Sequence, residues 1–175
     1  MAERWLSAAQ QRVWRSYIQL ERLLPARLGR EMQAVSGLSG PEYEVLVNLS
    51  EEPAGRLRPY QLGERMLWEQ SRLSHQLSRM QRRGLVMRED CPGDGRGAFV
   101  FLTPAGWAAI RAAAPPHADM VRKLVFDQLT EAEAEAFGAT CDKILAAIAK
   151  SGTGSGDAPD APECGDVAER VAVDE

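Results

Sequence analysis

The chain has 175 residues, of which 45% are hydrophobic and 26% charged, with a formal net charge of −4. That length suits one domain with a real core and is short for two, and the apolar content excludes a disordered chain. No apolar run approaches the ~20 residues of a membrane span, and charges interrupt the N-terminal stretch MAERWLSAAQQRVWRSY, so the expectation is a cytoplasmic protein without membrane partners or a secretory signal.

The net charge hides an uneven distribution. Residues 151–175 carry seven acids against Arg170, and without that segment the remainder is at +2. Residues 56–96 hold nine arginines and five acids, so positive charge gathers in the middle of the chain, as a nucleic-acid footprint requires.

In chain order, residues 3–24 read as an amphipathic helix, with Trp5, Leu6, Ala9, Val13, Tyr17, Leu20 and Leu24 three or four apart. Trp14, Ile18 and Leu23 add a second apolar stripe, which predicts that this helix packs on its own domain and on a partner subunit. Pro25 is expected to kink or end it, with residues 26–35 continuing as a weaker helix. Ser39 and Glu42 form a capping box for the next helix, with Pro41 in the first turn and Tyr43, Leu46, Val47 and Leu49 inward. Arg58-Pro59 leads into a short helix over Gln61–Leu67, with Leu62, Met66 and Leu67 inward. Gly63 reads equally as a close helix crossing or as plain flexibility.

A longer helix follows over Gln70–Arg83, stopped by Gly84, with Leu73, Leu77 and Met80 inward. The outward set is Ser71, Arg72, Ser74, His75, Gln76, Ser78, Arg79, Arg82 and Arg83, and it contains no carboxylate. A merely solvated face normally mixes both signs, whereas Arg, Gln, His and Ser are donors suited to base edges and phosphates. Strands near Val86–Glu89 and Ala98–Leu102 flank the turn-rich CPGDGRG, with Arg96 at the tip beside Asp94. Arg96 suits insertion into a narrow minor groove; pairing with Asp94 on the surface is the plainer alternative. Helix, turn, helix and hairpin in that order describe a winged helix-turn-helix.

Thr103-Pro104 caps a long helix with Trp107, Ile110 and Ala114 on one side, expected to kink or briefly break at Pro115-Pro116 before His117–Phe126. Thr130–Glu133 is a further capping box, opening a helix with Ala134, Phe137, Cys141, Ile144, Leu145 and Ile148 on one side. Residues 151–175 have no periodicity and are expected to form a disordered acidic tail. Cys91, Cys141 and Cys164 match no zinc or disulfide spacing, which leaves incidental thiols or a redox switch at Cys91. The two histidines accompany no nucleophile motif, P-loop, dinucleotide pattern or metal spacing, so neither an enzyme, a cofactor nor a metal is expected.

Over about residues 5–150 the chain resembles the MarR family of winged-helix regulators. The segments that carry the resemblance are LSGPEYEVLVNL, SRLSHQLSRMQRRGLVMR, DGRGAFVFLTPAG and HADMVRKLVFDQLT, at these intervals. It implies a mainly α (α+β) fold: a winged helix-turn-helix over residues 55–103 within a domain of residues 1–150, with helices 4–33 and 104–150 forming the dimerisation part. It implies further that Gln70–Arg83 is a recognition helix, and that Asp94 and Arg96 form a wing-tip pair. The candidate contacts to double-stranded DNA are Arg58, Gln61, Ser71, Arg72, Ser74, His75, Gln76, Ser78, Arg79, Asp94 and Arg96. A homodimer would read a pseudo-palindrome with half-sites about one helical turn apart. The family resemblance also implies a repressor released by a small aromatic effector, for which Trp14, Tyr17, Met66 and Trp68 are candidate lining residues. The peroxide-sensing cysteine of one branch has no counterpart here before Cys91. The alternatives are a redox-responsive regulator acting through Cys91 and a winged helix used for protein contacts alone.

Overall fold

The computed structural model describes residues 5–90 and 98–152. Residues up to Thr130 form one compact unit, made of helices α1 (Ala8–Ser36), α2 (Gly40–Ser50), α3 (Pro59–Met66), α4 (Gln70–Arg82) and α5 (Pro104–Leu124), a 3-10 turn at Phe126–Gln128, and strands β1 (Arg56–Leu57), β2 (Val86–Asp90) and β3 (Ala98–Leu102). Helix α6 (Glu131–Gly152) belongs to a second unit and by itself exposes Phe137, Ile144, Leu145 and Ile148. The fold is mainly α, a winged helix-turn-helix with a small antiparallel sheet in the order β1-β3-β2. No helix of the described residues is long and apolar enough to cross a membrane. Cys91, Asp94, Arg96 and residues 153–175 lie outside the described residues.

Capping chemistry sets the helix starts. Ser7 Oγ accepts from the Gln10 N–H at 3.2 Å and the Ser7 N–H donates to Gln10 Oε1 at 2.8 Å, a capping box that begins α1 at Ala8 rather than at residue 3. Trp5 and Leu6 therefore precede the helix, and both are exposed. Pro25 neither ends nor divides α1, which runs unbroken to Ser36. The hydrogen bond it removes is offset by the turns on either side and by packing of the C-terminal half against α2 and α5, where Met32 is buried. Pro115 and Pro116 lie inside α5 in the same way.

The core is built almost wholly from the winged-helix elements. Val45, Leu46 and Leu49 of α2 meet Leu62 and Met66 of α3, Leu73, Leu77 and Met80 of α4, Val86 and Val100 of the sheet, and Ile110 and Ala113 of α5. The hairpin pairs Val86 with Leu102 and Asp90 with Ala98 at its two ends. β1 is not legible in the sequence, since two residues carry no periodicity; it pairs Arg56 with Phe101 and Leu57 with Val100.

Two junctions hold the motif to its neighbours. A Cβ on Gly106 would lie 2.1 Å from the Leu85 carbonyl oxygen, so only glycine lets α5 start against the α4–β2 turn. Thr103 fastens the same corner, donating its hydroxyl to the Gly84 carbonyl at 2.6 Å and accepting the Gly106 N–H at 3.0 Å. The second junction joins α4 to α2. Arg83, which periodicity assigns to the outward set, turns back to donate to buried Glu42 at 2.7 Å and to the Gly37 carbonyl at 3.1 Å.

Candidate nucleic-acid interface

Helix α4 contains no acid, and its Ser71, Arg72, Ser74, His75, Arg79, Gln81 and Arg82 are exposed. Among the described residues no ion pair engages Arg72, Arg79 or Arg82, in contrast to Arg65, which pairs with Glu52, and Arg83, which pairs with Glu42. A row of cations with no ion pair among the described residues, Arg72 having only the longer-range field of Glu44, is a surface suited to an external anion. Ser78 is half-buried, and its hydroxyl donates to the Ser74 carbonyl at 2.8 Å.

Besides Arg83, a second member of the predicted outward set does not belong to it. Gln76 is 8% exposed and its amide nitrogen is buried with no hydrogen-bond partner among the described residues. It lies three residues after Leu73 and four before Met80, spacings that place it on the inward side of a 3.6-residue helix. A count of polar residues alone misassigns it.

The turn into α4 also differs from expectation. Leu67, expected inward, is 91% exposed and adopts a left-handed backbone with φ 52°, ending α3. A leucine there costs about 1 kcal/mol or more relative to glycine. The reversal carries Trp68 back onto the motif, where its backbone N–H donates to the Gly63 carbonyl at 2.9 Å. A Cβ on Gly63 would meet the Trp68 carbonyl oxygen at 3.3 Å and Leu73 Cδ2 at 3.6 Å, so the close-crossing reading of this glycine is the one the geometry bears out. Trp68 packs on the core, and the Arg72 guanidinium lies 4.0 Å above its ring centroid. Burial pushes the nearby Glu44 carboxyl up from its ordinary value, and the positive charge of Arg72 opposes that shift.

At the base of the wing, Arg56 and Arg58 both stack on Phe99, 4.6 and 4.8 Å from its ring centroid. Arg58 is legible in the sequence as a candidate; Arg56 and Phe99 are not, because the β1–β3 pairing that joins them spans more than forty residues. Gln61 accepts the Arg58 N–H through Oε1 at 2.9 Å, so this side chain serves the start of α3.

The four candidate effector residues are dispersed. Met66 is a core residue and Trp68 lies beneath Arg72. Trp14 and Tyr17 stack on each other on α1, ring centroids 5.5 Å apart, and both are about half exposed. The open groove beside Trp14 is lined by Arg15, Ile18, Gln19, Arg22 and Leu23, all of α1, and not by Met66 or Trp68. A cleft between α1 and α5, at Met32, Val35, His117 and Met120, encloses only about 10 Å³, room for one water and not for an aromatic molecule. The His117 ring packs at a tilt against Tyr43, centroids 4.5 Å apart, and burial holds its pKa below the ordinary value.

Comparison with known proteins agrees with this geometry. A family model described as MarR family matches residues 36–97. The chain is 32% identical to the transcriptional regulator HosA of Escherichia coli O111:H- over 123 residues, which cover 70% of this chain and 89% of that protein. Among solved structures it is similar to Sco3205, a MarR family transcriptional regulator from Streptomyces coelicolor in complex with DNA, at 41% identity and a TM-score of 0.77 over 87% of this chain and 92% of that one. AbsC, a MarR family transcriptional regulator from the same organism, is 38% identical with a TM-score of 0.76, covering 87% of this chain and 99% of that one.

Proposed function

This chain belongs to the MarR family of transcriptional regulators, and from that premise we propose that it binds pseudo-palindromic double-stranded DNA as a homodimer and acts as a ligand-released repressor rather than as an enzyme. The observation that carries the reading is the face of α4, exposed, arginine-bearing and free of carboxylates, with its three arginines in no ion pair among the described residues. The DNA-bound state of Sco3205 supports placing duplex DNA against that face. Ser71, Arg72, Ser74, His75 and Arg79 are the proposed groove contacts, with Arg58 beside the wing, and Asp94 and Arg96 as the resemblance implies.

The dimer reading draws on α1. Val13, Trp14, Tyr17, Leu20 and Leu23 are exposed along one helix, an apolar stripe that a second copy would bury. The effector reading draws on the family resemblance, and the open groove of α1 beside Trp14 is where a second copy would complete a cleft. The cation-rich face predicts binding dominated by counterion release. Affinity for DNA from the region upstream of the protein's own gene, followed by fluorescence anisotropy, should fall at least about tenfold between ~50 and ~200 mM salt. Binding that ignores salt over that range, or no preference for this DNA over an unrelated duplex, would remove the reading.

A further inference from the structure

Arg72 is the only arginine in the first half of α4, and among the described residues it is the only arginine of that helix with an aromatic ring beneath it. Its neighbours along the face, Arg79 and Arg82, stand on the surface without such a support. A free arginine samples many rotamers, and a contact to a base must then restrict all of them. Here the guanidinium already rests on Trp68 at 4.0 Å. Stacking uses the flat face of the group and leaves its in-plane N–H edge free, the edge that pairs with O6 and N7 of guanine.

The ring itself is held. Trp68 packs against the core, its backbone N–H is tied to the Gly63 carbonyl, and Gly63 has no side chain to push it away. The left-handed turn at Leu67 is what brings the ring to this place, so a backbone conformation unfavourable for leucine is retained at the point that aims it.

We infer that Trp68 is a positioning residue for sequence reading, holding the Arg72 guanidinium so that its N–H edge selects one guanine in each half-site, while Arg79 and Arg82 bind without selecting. This rests on the DNA-binding reading above. It also gives Trp68 a role different from lining an effector cleft.

The test uses full-length protein and the duplex that wild type selects from a randomised pool, with each half-site base pair then changed singly. Arg72→Ala should erase the preference at one G·C pair, an effect of about tenfold or more. Trp68→Leu should erase most of the preference at that same pair and no other, leaving the salt dependence unchanged. Trp68→Phe, which keeps a ring, should retain it, and the Trp68→Leu/Arg72→Ala double variant should behave as Arg72→Ala alone. Equal weakening on every duplex, or a guanine preference that survives Trp68→Leu, overturns the inference. A second measurement does not depend on the variants folding. The Arg72 side-chain protons of the free wild-type protein should show an upfield ring-current shift that persists on the selected duplex; unshifted protons in that complex also overturn it. If wild type selects no sequence from the pool, the DNA-binding reading fails instead.

Discussion

Of the 29 residues of α1 only Met32 is buried, whereas α4, with 13, buries Leu73, Gln76, Leu77 and Met80. Both helices nevertheless present a long uncovered face, and the two faces differ in chemistry. On α1 it is aromatic and aliphatic, and removing it from water is favourable at about 25 cal/mol per Å² of apolar surface. On α4 it is hydroxyl, imidazole and guanidinium, which gains nothing from an apolar partner and much from an array of phosphates. The contrast is what the proposed partners draw on: an apolar stripe on α1 matches a second copy, and a cationic face on α4 matches a polyanion. It also shows that α4 is held in place by its own domain before any partner arrives, because its inward side is part of the core.

The largest effect should come from the inward side of α4. Leu77→Ala empties a fully buried site and should lower the unfolding free energy by about 2–5 kcal/mol, read from urea midpoints. A loss under about 1 kcal/mol would mean that α4 is not anchored as described. Next is the exposed stripe of α1. Tyr17→Glu combined with Leu20→Glu should convert dimer to monomer in analytical ultracentrifugation and weaken operator binding about 100-fold, because two half-sites are no longer engaged together. Monomeric wild type at micromolar concentration would break the comparison at its α1 end.

A finer division separates two arginines one helical turn apart, Arg79 in α4 and Arg83 at its C-cap. Arg79→Ala should reduce DNA affinity about tenfold at low salt and lower the salt slope by about one, with stability within about 0.5 kcal/mol of wild type. Arg83→Ala should do the reverse, costing about 1–2 kcal/mol of stability by stranding the buried Glu42 carboxylate, with little direct effect on the salt slope. Equal behaviour of the two variants in both assays would show that Arg83 belongs to the reading face after all.

The smallest effect is a pH dependence at the same ion pair. Burial, the largest single influence on Glu42, pushes its carboxyl up, but the Ser39 N–H, the Arg83 guanidinium and the Ser39 hydroxyl together outweigh it and leave the pKa below the ordinary 4.5. A depressed carboxylate contributes stability that is fully present above its unfolded value and is lost as pH falls through the folded one. Glu42→Gln keeps the cap but not the charge, so wild type should exceed it in stability at neutral pH, and the gap should close below about pH 4.5. A gap that persists unchanged in acid would mean that the pair is not what distinguishes them.

Much of this molecule is written locally. Ser39 with Glu42, Thr103 ahead of Pro104, and Gly84 after Arg83 mark helix ends, because a cap involves residues within one turn of each other. The absence of acids from α4 needs no structure to see. The Ser7–Gln10 box is equally available, and the apolar Trp5 and Leu6 draw the expected helix start past it.

What the tertiary structure decided are the relations between segments. Gln76 is buried although polar, Leu67 is exposed although apolar, and Arg83 serves Glu42, 41 residues away in sequence. β1 exists only because β3 returns to pair with it, and that pairing places Arg56 and Arg58 on one phenylalanine. Trp68 becomes a platform for Arg72 only through the left-handed turn at Leu67 and the space left at Gly63. By itself the sequence determined which face of α4 is cationic and where most helices begin, since both depend on periodicity and on contacts within a turn. Which of those cations are free, which are tied inward and which one is braced depended on chain segments brought together by packing, a distance no local pattern encodes.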